Sequence, residues 1–511
     1  MTILHVILLM VAIATSAIAQ TQAQTIIQVV NVNDGDNNNS PDIDCDPCID
    51  RSQYRIRAIV HGRQQDPFWQ DMQHSMKQTA KNMGIDFRMD LYEHDAVDIS
   101  RRMATDIRNT AVLEQPHALI VSIPGDSLVE RALESISEKV PIFVVNAMVP
   151  FPLMGSSAIG SEERISSNER FPAVHAATYM NETDAAARIA LQLEDLMQNL
   201  DSDVHEEDKL PGVFISHESG IPLLTHRYNE LSKATKNTVD WEMVDITGSF
   251  DDYQTELTEL FDGCNYTVVQ LAGTVAAEAT LNALFGNGCD EEDTMIVGTY
   301  DTSPLVIDAI ASGTIHFAIS QQPRFQGSMS VMLASLYATT GQTLTSSRAL
   351  FSRPSLITAE NLPFDDQNKL RDKSKLNIKV LTHDLVTDPF WETVYSGLRQ
   401  AASDFDVNLV THRFKSAVSG RGEVSLERSF SVREACRAAD IDGLIVSLPH
   451  DGMVDALSVC YARGIPVVAI NAAPEDAIAP SLPYVGQQDY QSGFEAGMVL
   501  IENGSSNGYC L

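Results

Sequence analysis

The sequence predicts an α/β protein of doubly wound parallel sheets: one complete two-lobed module, then a second, incomplete module that is mostly one lobe. Three observations carry this. From Tyr54 to Asn146, short β-branched runs alternate with segments of helical periodicity, the rhythm of a parallel sheet. A second set with the same rhythm runs from Gly212 to Phe317. The tetrapeptide Asp66-Pro67-Phe68-Trp69 returns as Asp388-Pro389-Phe390-Trp391, each time after a strand-like run and at the opening of a helix-like one.

In the first lobe, Ile56–His61 reads as a strand and Trp69–Met83 as an amphipathic helix stopping at Gly84. Asp86–Tyr92 is the second strand and Ile99–Leu113 the second helix. His117–Ile123 is an apolar strand closed by Pro124, and Asp126 is placed to N-cap the helix Ser127–Glu138. Pro141–Asn146 is the fourth strand. Ligands of such sheets sit beyond the carboxyl ends of the strands, so Asp66–Trp69 and Asn146 should project into one crevice. In the second lobe the strands are Gly212–Ser216, Tyr266–Leu271, Met295–Thr299 and Ile315–Ser320, with helices between. Ala177–Asn181, Ser320–Gln322 and the returning Pro354–Thr358 are candidate crossings, which together make a clamshell hinged around a ligand.

Residues 53–361 therefore form the complete module, and the charged, proline-containing stretch 362–376 a linker. Within 377–511 the first lobe begins again: the strand Asn377–Thr382, the Asp388–Trp391 loop, a helix through Phe405 and the strand Val407–Thr411. Asp442–Pro449 matches His117–Pro124, and Gly464–Ala472 matches Lys139–Ala147. Pro124 to Asn146 and Pro449 to Asn471 span the same number of residues, which marks an internal duplication. The second copy ends soon after the helix-like Tyr490–Glu502.

Composition narrows the function classes. A net charge of -34 excludes a nucleic-acid backbone as partner. Residues 1–19 read as a cleaved secretory signal, with an apolar run from Ile3 to Ile13 and a small-x-small site at Ala17-Ile18-Ala19, although no Lys or Arg precedes the run. No other stretch is long and apolar enough for a spanning helix, so the expected product is exported and soluble, in the periplasm or outside the cell. The polar segment 20–52 reads as a disordered linker; its alternating Asp34, Asp36 and Asn38 lack the glycine and flanking helices of a calcium loop. Seven cysteines fit an oxidising compartment, and a local Cys45–Cys48 bridge suits that spacing better than zinc, for which no second ligand pair follows. Asn38, Asn181, Asn265 and Asn503 are glycosylation sequons. No metal or cofactor site is expected, and no G-x-S-x-G, H-E-x-x-H or phosphate-cradling glycine loop points to an enzyme.

The chain resembles the type I periplasmic binding proteins, in particular the sugar-binding branch that includes ribose-binding protein. The residues behind the resemblance are the Asp-Pro-Phe-Trp loops, Val297-Gly298-Thr299-Tyr300-Asp301, Ile319-Ser320-Gln321-Gln322-Pro323 with Gln326-Gly327, and Val485-Gly486-Gln487-Gln488-Asp489-Tyr490 with Gly493 and Gly497. The resemblance implies a binding protein that traps a small sugar-like or polyol-like solute between two lobes. Carried over by position, Phe68 and Trp69 would stack on the ligand, Asp66 would accept hydroxyl protons, and Asp301 and Gln321 would contribute from the opposite side. Asn146-Ala147 stands where sugar binders often have Asp followed by Arg, and Arg227 is the candidate for the second-lobe arginine. Near Gly273-Thr274 the usual side-chain amide is absent.

Each residue also has a plainer role open to it. The adjacent Phe68 and Trp69 should face different ways at a helix start, so one of them should point away from the crevice. Asp301 is as well suited to cap the helix after Thr302, and Gln321 to satisfy hinge backbone groups. Asn181 falls at a crossing near the cleft mouth, an awkward place for a glycan. On this fold Cys264 and Cys289 begin neighbouring strands, and Cys436 and Cys460 lie in helices flanking one strand, so each pair is a bridge candidate. The expected function is an exported solute-binding protein that hands its ligand to a membrane transporter or serves as a scavenger; the alternative is the ligand-sensing ectodomain of a receptor. The second module, lacking an opposing lobe in this chain, is expected to bind nothing alone.

Overall fold

The computed structural model describes residues 49–486, except 94–97, 125–126, 148–173, 198–208, 218–220, 247–249, 264, 288–294, 342–348, 363–375, 384–388, 414–420 and 474–481. The expected signal, nearly all of both linkers, Asp126, Asp388, Tyr490–Glu502 and Cys45, Cys48, Cys264 and Cys289 lie outside those residues. The chain divides into two compact units, one of them Asp50–Asn368.

The first lobe of that unit opens with β1 (Arg55–Gly62), α1 (Pro67–Asn82) and β2 (Asp86–Glu93). It continues with α2 (Ile99–Asn109), β3 (Ala118–Val121), α3 (Ser127–Ile136), β4 (Ile142–Val145) and β5 (Val174–Met180). α2 ends in a π-helical turn, Thr110–Glu114, so the expected helix to Leu113 is regular only to Asn109. Ile56, Ala58, Ile59 and Val60 are all 0 % exposed because helices cover both faces of the sheet. Pro67 starts α1 at a position where its missing N–H costs nothing, and the Asp66 carboxylate accepts from the Phe68 N–H at 3.0 Å. Gly62 matters for packing: a Cβ there would sit 2.3 Å from the Trp69 indole, so only glycine lets the ring lie against the strand end.

The second lobe repeats the plan with α4 (Glu182–Met197), β6 (Leu210–Ser216), α5 (Pro222–Ala234), β7 (Val239–Asp245) and α6 (Phe250–Leu260). It closes with β8 (Val268–Leu271), α7 (Thr274–Asn287), β9 (Ile296–Tyr300), α8 (Pro304–Ser312) and β10 (Phe317–Ser320). β7 is a strand that the sequence reading passed over. It is a half-buried edge strand whose alternation of Val239, Trp241 and Met243 with acidic residues is short.

The chain crosses between lobes three times. It enters the second lobe after β5 and returns through α9 (Pro323–Thr340), which packs chiefly on α1. β11 (Ala349–Ser352) then pairs with β5, and β12 (Ser355–Thr358) runs antiparallel to β10. These crossings fall where the sequence places them. The close α9–α1 approach depends on Gly327, whose missing Cβ would meet Ser75 Oγ at 2.4 Å. The sheets run β11-β5-β4-β3-β1-β2 and β12-β10-β9-β8-β6-β7, so the lobes share one strand order.

The second unit contains β13 (Asn377–Thr382), α10 (Pro389–Phe405), β14 (Asn408–Arg413) and α11 (Arg421–Arg437). After these come β15 (Gly443–Val446), α12 (Asp451–Ala456), α13 (Ser458–Ala462), β16 (Val467–Ile470) and β17 (Tyr484–Val485). Its parallel sheet, β14-β13-β15-β16-β17, repeats the order β2-β1-β3-β4-β5. Cys436 on α11 and Cys460 on α13 form the expected disulfide, with Cα atoms 4.8 Å apart. Among the described residues, no helix is long and apolar enough to cross a membrane.

Candidate functional site

Residues from the strand ends of both lobes line a single cavity of about 60 Å³ in the first unit. All seven sequence candidates, Asp66, Phe68, Trp69, Asn146, Arg227, Asp301 and Gln321, are in its lining. His61, Arg63, His217 and Thr274 join them.

The first-lobe wall is built on aromatic contacts. Phe68 and Trp69, 4 % and 6 % exposed, meet edge to face with centroids 5.2 Å apart. Both line the cavity, so neither turns away as their adjacency predicted. Trp69 also lies 5.4 Å from the His61 ring, which is held by Ser122: its hydroxyl accepts from the His61 backbone N–H at 2.8 Å and lies 2.6 Å from Nδ1.

The second-lobe wall is a chain of polar contacts. Glu182, the first residue of α4, pairs with Arg227 on α5 through bonds of 3.0 and 2.8 Å, with both side chains at most 2 % exposed. Arg227 also donates to the Ala272 carbonyl at 2.8 Å and to Gln321 Oε1 at 2.7 Å, and lies 4.1 Å above the Tyr300 ring. Gln321 Nε2 donates to both Asp301 oxygens at 2.8 Å. Arg227 thus lines the cavity with four of its donors already engaged. Across the cleft, the Thr274 hydroxyl donates to Asp66 Oδ1 at 3.0 Å.

The plainer roles sort out clearly. Asp66 both caps α1 and faces the second lobe. Asp301 does not cap α8; Ser303 does, accepting from Val306 N–H at 3.1 Å. Hinge carbonyls are met by Gln322, Gln326 and Ser352 rather than by the Gln321 side chain. Asn181 Oδ1 accepts from Asp184 N–H at the start of α4, so its amide already serves the helix.

Asn146 and Asp301 follow the corresponding fourth strands of the two lobes, and both adopt positive φ, 49° and 64°. Asn and Asp tolerate that region better than other side chains. Each is fixed there by its N–H, which bonds Thr178 O in one lobe and Ile319 O in the other. Asn146 Oδ1 is buried without a hydrogen-bond partner among the described residues. Left-handed backbone at the mouth of a cleft is the kind of strain that accompanies binding sites.

Burial pushes the Asp66 carboxyl up to about 6, against the Phe68 N–H and Thr274 bonds that favour its charge. Burial pushes Asp301 up to about 7; Arg227 and Gln321 oppose the rise and the charge on Asp66 adds to it. For Arg227, burial alone would lower the guanidinium, but Glu182 outweighs it and holds it above its usual range. No group of three or more metal-ligating side chains occurs among the described residues.

The sequence reading missed His61, Ser122, Glu182 and Thr274 as parts of the site. A signal existed for the first two, since His383 precedes Asp388 as His61 precedes Asp66, and Ser447 precedes Pro449 as Ser122 precedes Pro124. Nothing local marks Glu182 as the partner of Arg227 or the Thr274 hydroxyl as that of Asp66, since these pairs join different helices or different lobes.

A family model for the periplasmic binding protein domain matches residues 58–343. One for periplasmic binding proteins and the sugar binding domain of the LacI family matches 375–511. A search of curated proteins returns no match. Among solved structures, GanP, a glucose-galactose binding protein from Geobacillus stearothermophilus, aligns with a TM-score of 0.50 at 12 % identity, covering 61 % of this chain and 99 % of its own. A carbohydrate transporter from Acidothermus cellulolyticus in complex with myo-inositol aligns at 0.47 and 19 % identity, covering 60 % and 95 %. An ABC transporter periplasmic solute binding protein from Actinobacillus succinogenes with bound D-allose aligns at 0.47 and 14 %, covering 60 % and 98 %. At these identities the likeness concerns the fold.

Proposed function

The chain belongs to the periplasmic binding protein domain family, and we propose that its first module is an exported solute-binding device that closes two hinged lobes on a small, polar, sugar-like ligand for delivery to a membrane transporter. The observation that carries the reading is the convergence of Phe68, Trp69, Asp66, Asn146 and Asp301 on one cavity between lobes joined by three crossings. The aromatic pair offers apolar faces for the C–H side of a polyol ring. Asp66, Asn146 and Asp301 offer acceptors for its hydroxyl protons. It is a binding role, not a catalytic one.

Closure follows from linkage. A ligand held by both walls binds the closed arrangement better than the open one and shifts the hinge toward it. At about 60 Å³ the cavity is smaller than the roughly 300 Å³ at which small-molecule pockets begin. A sugar must therefore part the walls and replace the Asp66–Thr274 bond with bonds of its own. An ordered chain of hydrogen bonds runs from Asp301 through Gln321 and Arg227 to Glu182 at the crossing into α4.

The test is titration of the full chain with sugars, polyols and autoinducer-like compounds, read by intrinsic tryptophan fluorescence. A saturable change is expected, lost in Trp69→Ala and in Asp301→Ala. Unaltered affinity in both variants contradicts the site.

A further inference from the structure

We propose that the cleft selects a ligand carrying a protonated amine on its polyol frame, in chemical class an aminosugar or aminocyclitol, over the neutral counterpart. The inference rests on the sugar-like reading above and narrows its substrate class.

Charge bookkeeping in the cleft is the first support. Among the described residues, Asp66, Asp301, Arg63 and Arg227 line the cavity. Glu182 stands behind Arg227, and Glu278 on α7 acts on Asp66. Arg227 is neutralised by Glu182 at 2.8 Å and its remaining bonds go to protein carbonyls. Arg63 acts on both Glu278 and Asp66, and its guanidinium lies 5.9 Å from the Tyr253 ring. Four carboxylates, Asp66, Asp301, Glu182 and Glu278, are thus set against two guanidinium groups, Arg63 and Arg227, and Asp66 and Asp301 face the closing space with that excess of negative charge.

The second support is a surplus of acceptors. Asp66 takes both its bonds through Oδ1, from Phe68 N–H and Thr274. Asn146 Oδ1 is buried and unmatched among the described residues, and Ala147 beside it brings no donor. A ligand ammonium supplies three donors and a charge to that surplus, and the faces of Phe68 and Trp69 favour a cation as well. A neutral polyol supplies the donors but leaves that excess of negative charge uncompensated in a space too dry to screen it.

The experiment uses matched probes on the full chain at pH 7.5: D-glucose against D-glucosamine, D-galactose against D-galactosamine, and myo-inositol against an aminodeoxyinositol. Titration calorimetry is expected to give the amine at least tenfold tighter binding in the best pair. N-acetylation, which removes the charge, should cancel that advantage. Asp301→Asn should shrink the preference, and Asn146→Asp, which adds a carboxylate on the facing wall, should enlarge it. Equal or tighter binding of the neutral member in every pair overturns the proposal while leaving solute binding intact. A preference that neither variant moves also overturns it. If no probe of either kind binds, both this inference and the solute-binding reading fall together.

Discussion

At Trp69 and at Trp391 the chain builds the same corner twice. Each indole lies against a histidine ring, at 5.4 Å from His61 and 5.2 Å from His383. Each histidine is held by a serine hydroxyl that accepts its backbone N–H at 2.8 Å, Ser122 in one unit and Ser447 in the other. Each fourth strand ends in an asparagine at positive φ, Asn146 at 49° and Asn471 at 60°. The phenylalanines then diverge: Phe68 is 4 % exposed and Phe390 36 %. Leu223, Leu224 and Thr274 of a second lobe share the cavity with Phe68, whereas the described residues of the other unit form a single sheet. The corner is therefore a property of the local sequence, and the candidate site a property of what faces it.

The largest effect that separates the units should come from Glu182→Ala. It leaves the Arg227 guanidinium buried and unpaired, a change that costs about 3–5 kcal/mol. Hydrogen exchange read peptide by peptide should show β6 and β8 losing protection while β13 and β15 keep theirs. Equal protection in the variant would mean the ion pair carries no such weight.

Next is the phenylalanine pair itself. Phe68→Ala removes a buried ring and should cost about 3 kcal/mol or more, whereas Phe390→Ala should cost about 1 kcal/mol. Equal losses in thermal unfolding would erase the distinction between the copies. Reduction of Cys436–Cys460 works in the opposite sense. The bridge closes a separation of 24 residues and should stabilise only the second unit, by about 3 kcal/mol in the chain-entropy account. Loss of protection in the first unit on Cys436→Ser with Cys460→Ser would contradict that confinement.

The last effect is pH dependence. Asp66 and Asp301 have folded values of about 6 and about 7, above the ordinary 3.8. Their protonated forms are the ones the fold favours, so their contribution is fully present below about pH 4 and lost as pH rises through 6 to 7. Without ligand, the first unit should lose stability between pH 4 and 8. Arg63, Glu278, Arg227, Glu182, His61 and His217 all face this pair and modulate the slope. Asp301→Asn should remove most of it. A slope of the same size in that variant would place its origin elsewhere.

Much of this was legible in the residues. Strand and helix alternation, and the repeat of Asp-Pro-Phe-Trp at one offset, gave the parallel order of the sheets because those signals are local and periodic. The seven candidates reached one cavity because strand-end positions in such sheets have few places to point. What escaped were pairings between distant segments. Thr274 meets Asp66 across 208 positions and Arg227 meets Glu182 across 45, and neither contact leaves a trace in spacing. Asp301 read equally well as a cap because only the structure shows Ser303 in that place. β7 was passed over because an edge strand half open to solvent tolerates acidic residues at every second position.

The most direct test of the difference between the two corners is the binding stoichiometry of the full chain, measured by titration calorimetry with whichever probe sugar or aminosugar saturates it. One ligand per chain is predicted, abolished by Phe68→Ala and left unchanged in affinity and stoichiometry by Phe390→Ala. Two ligands per chain, or loss of binding in the Phe390→Ala variant, would contradict the account.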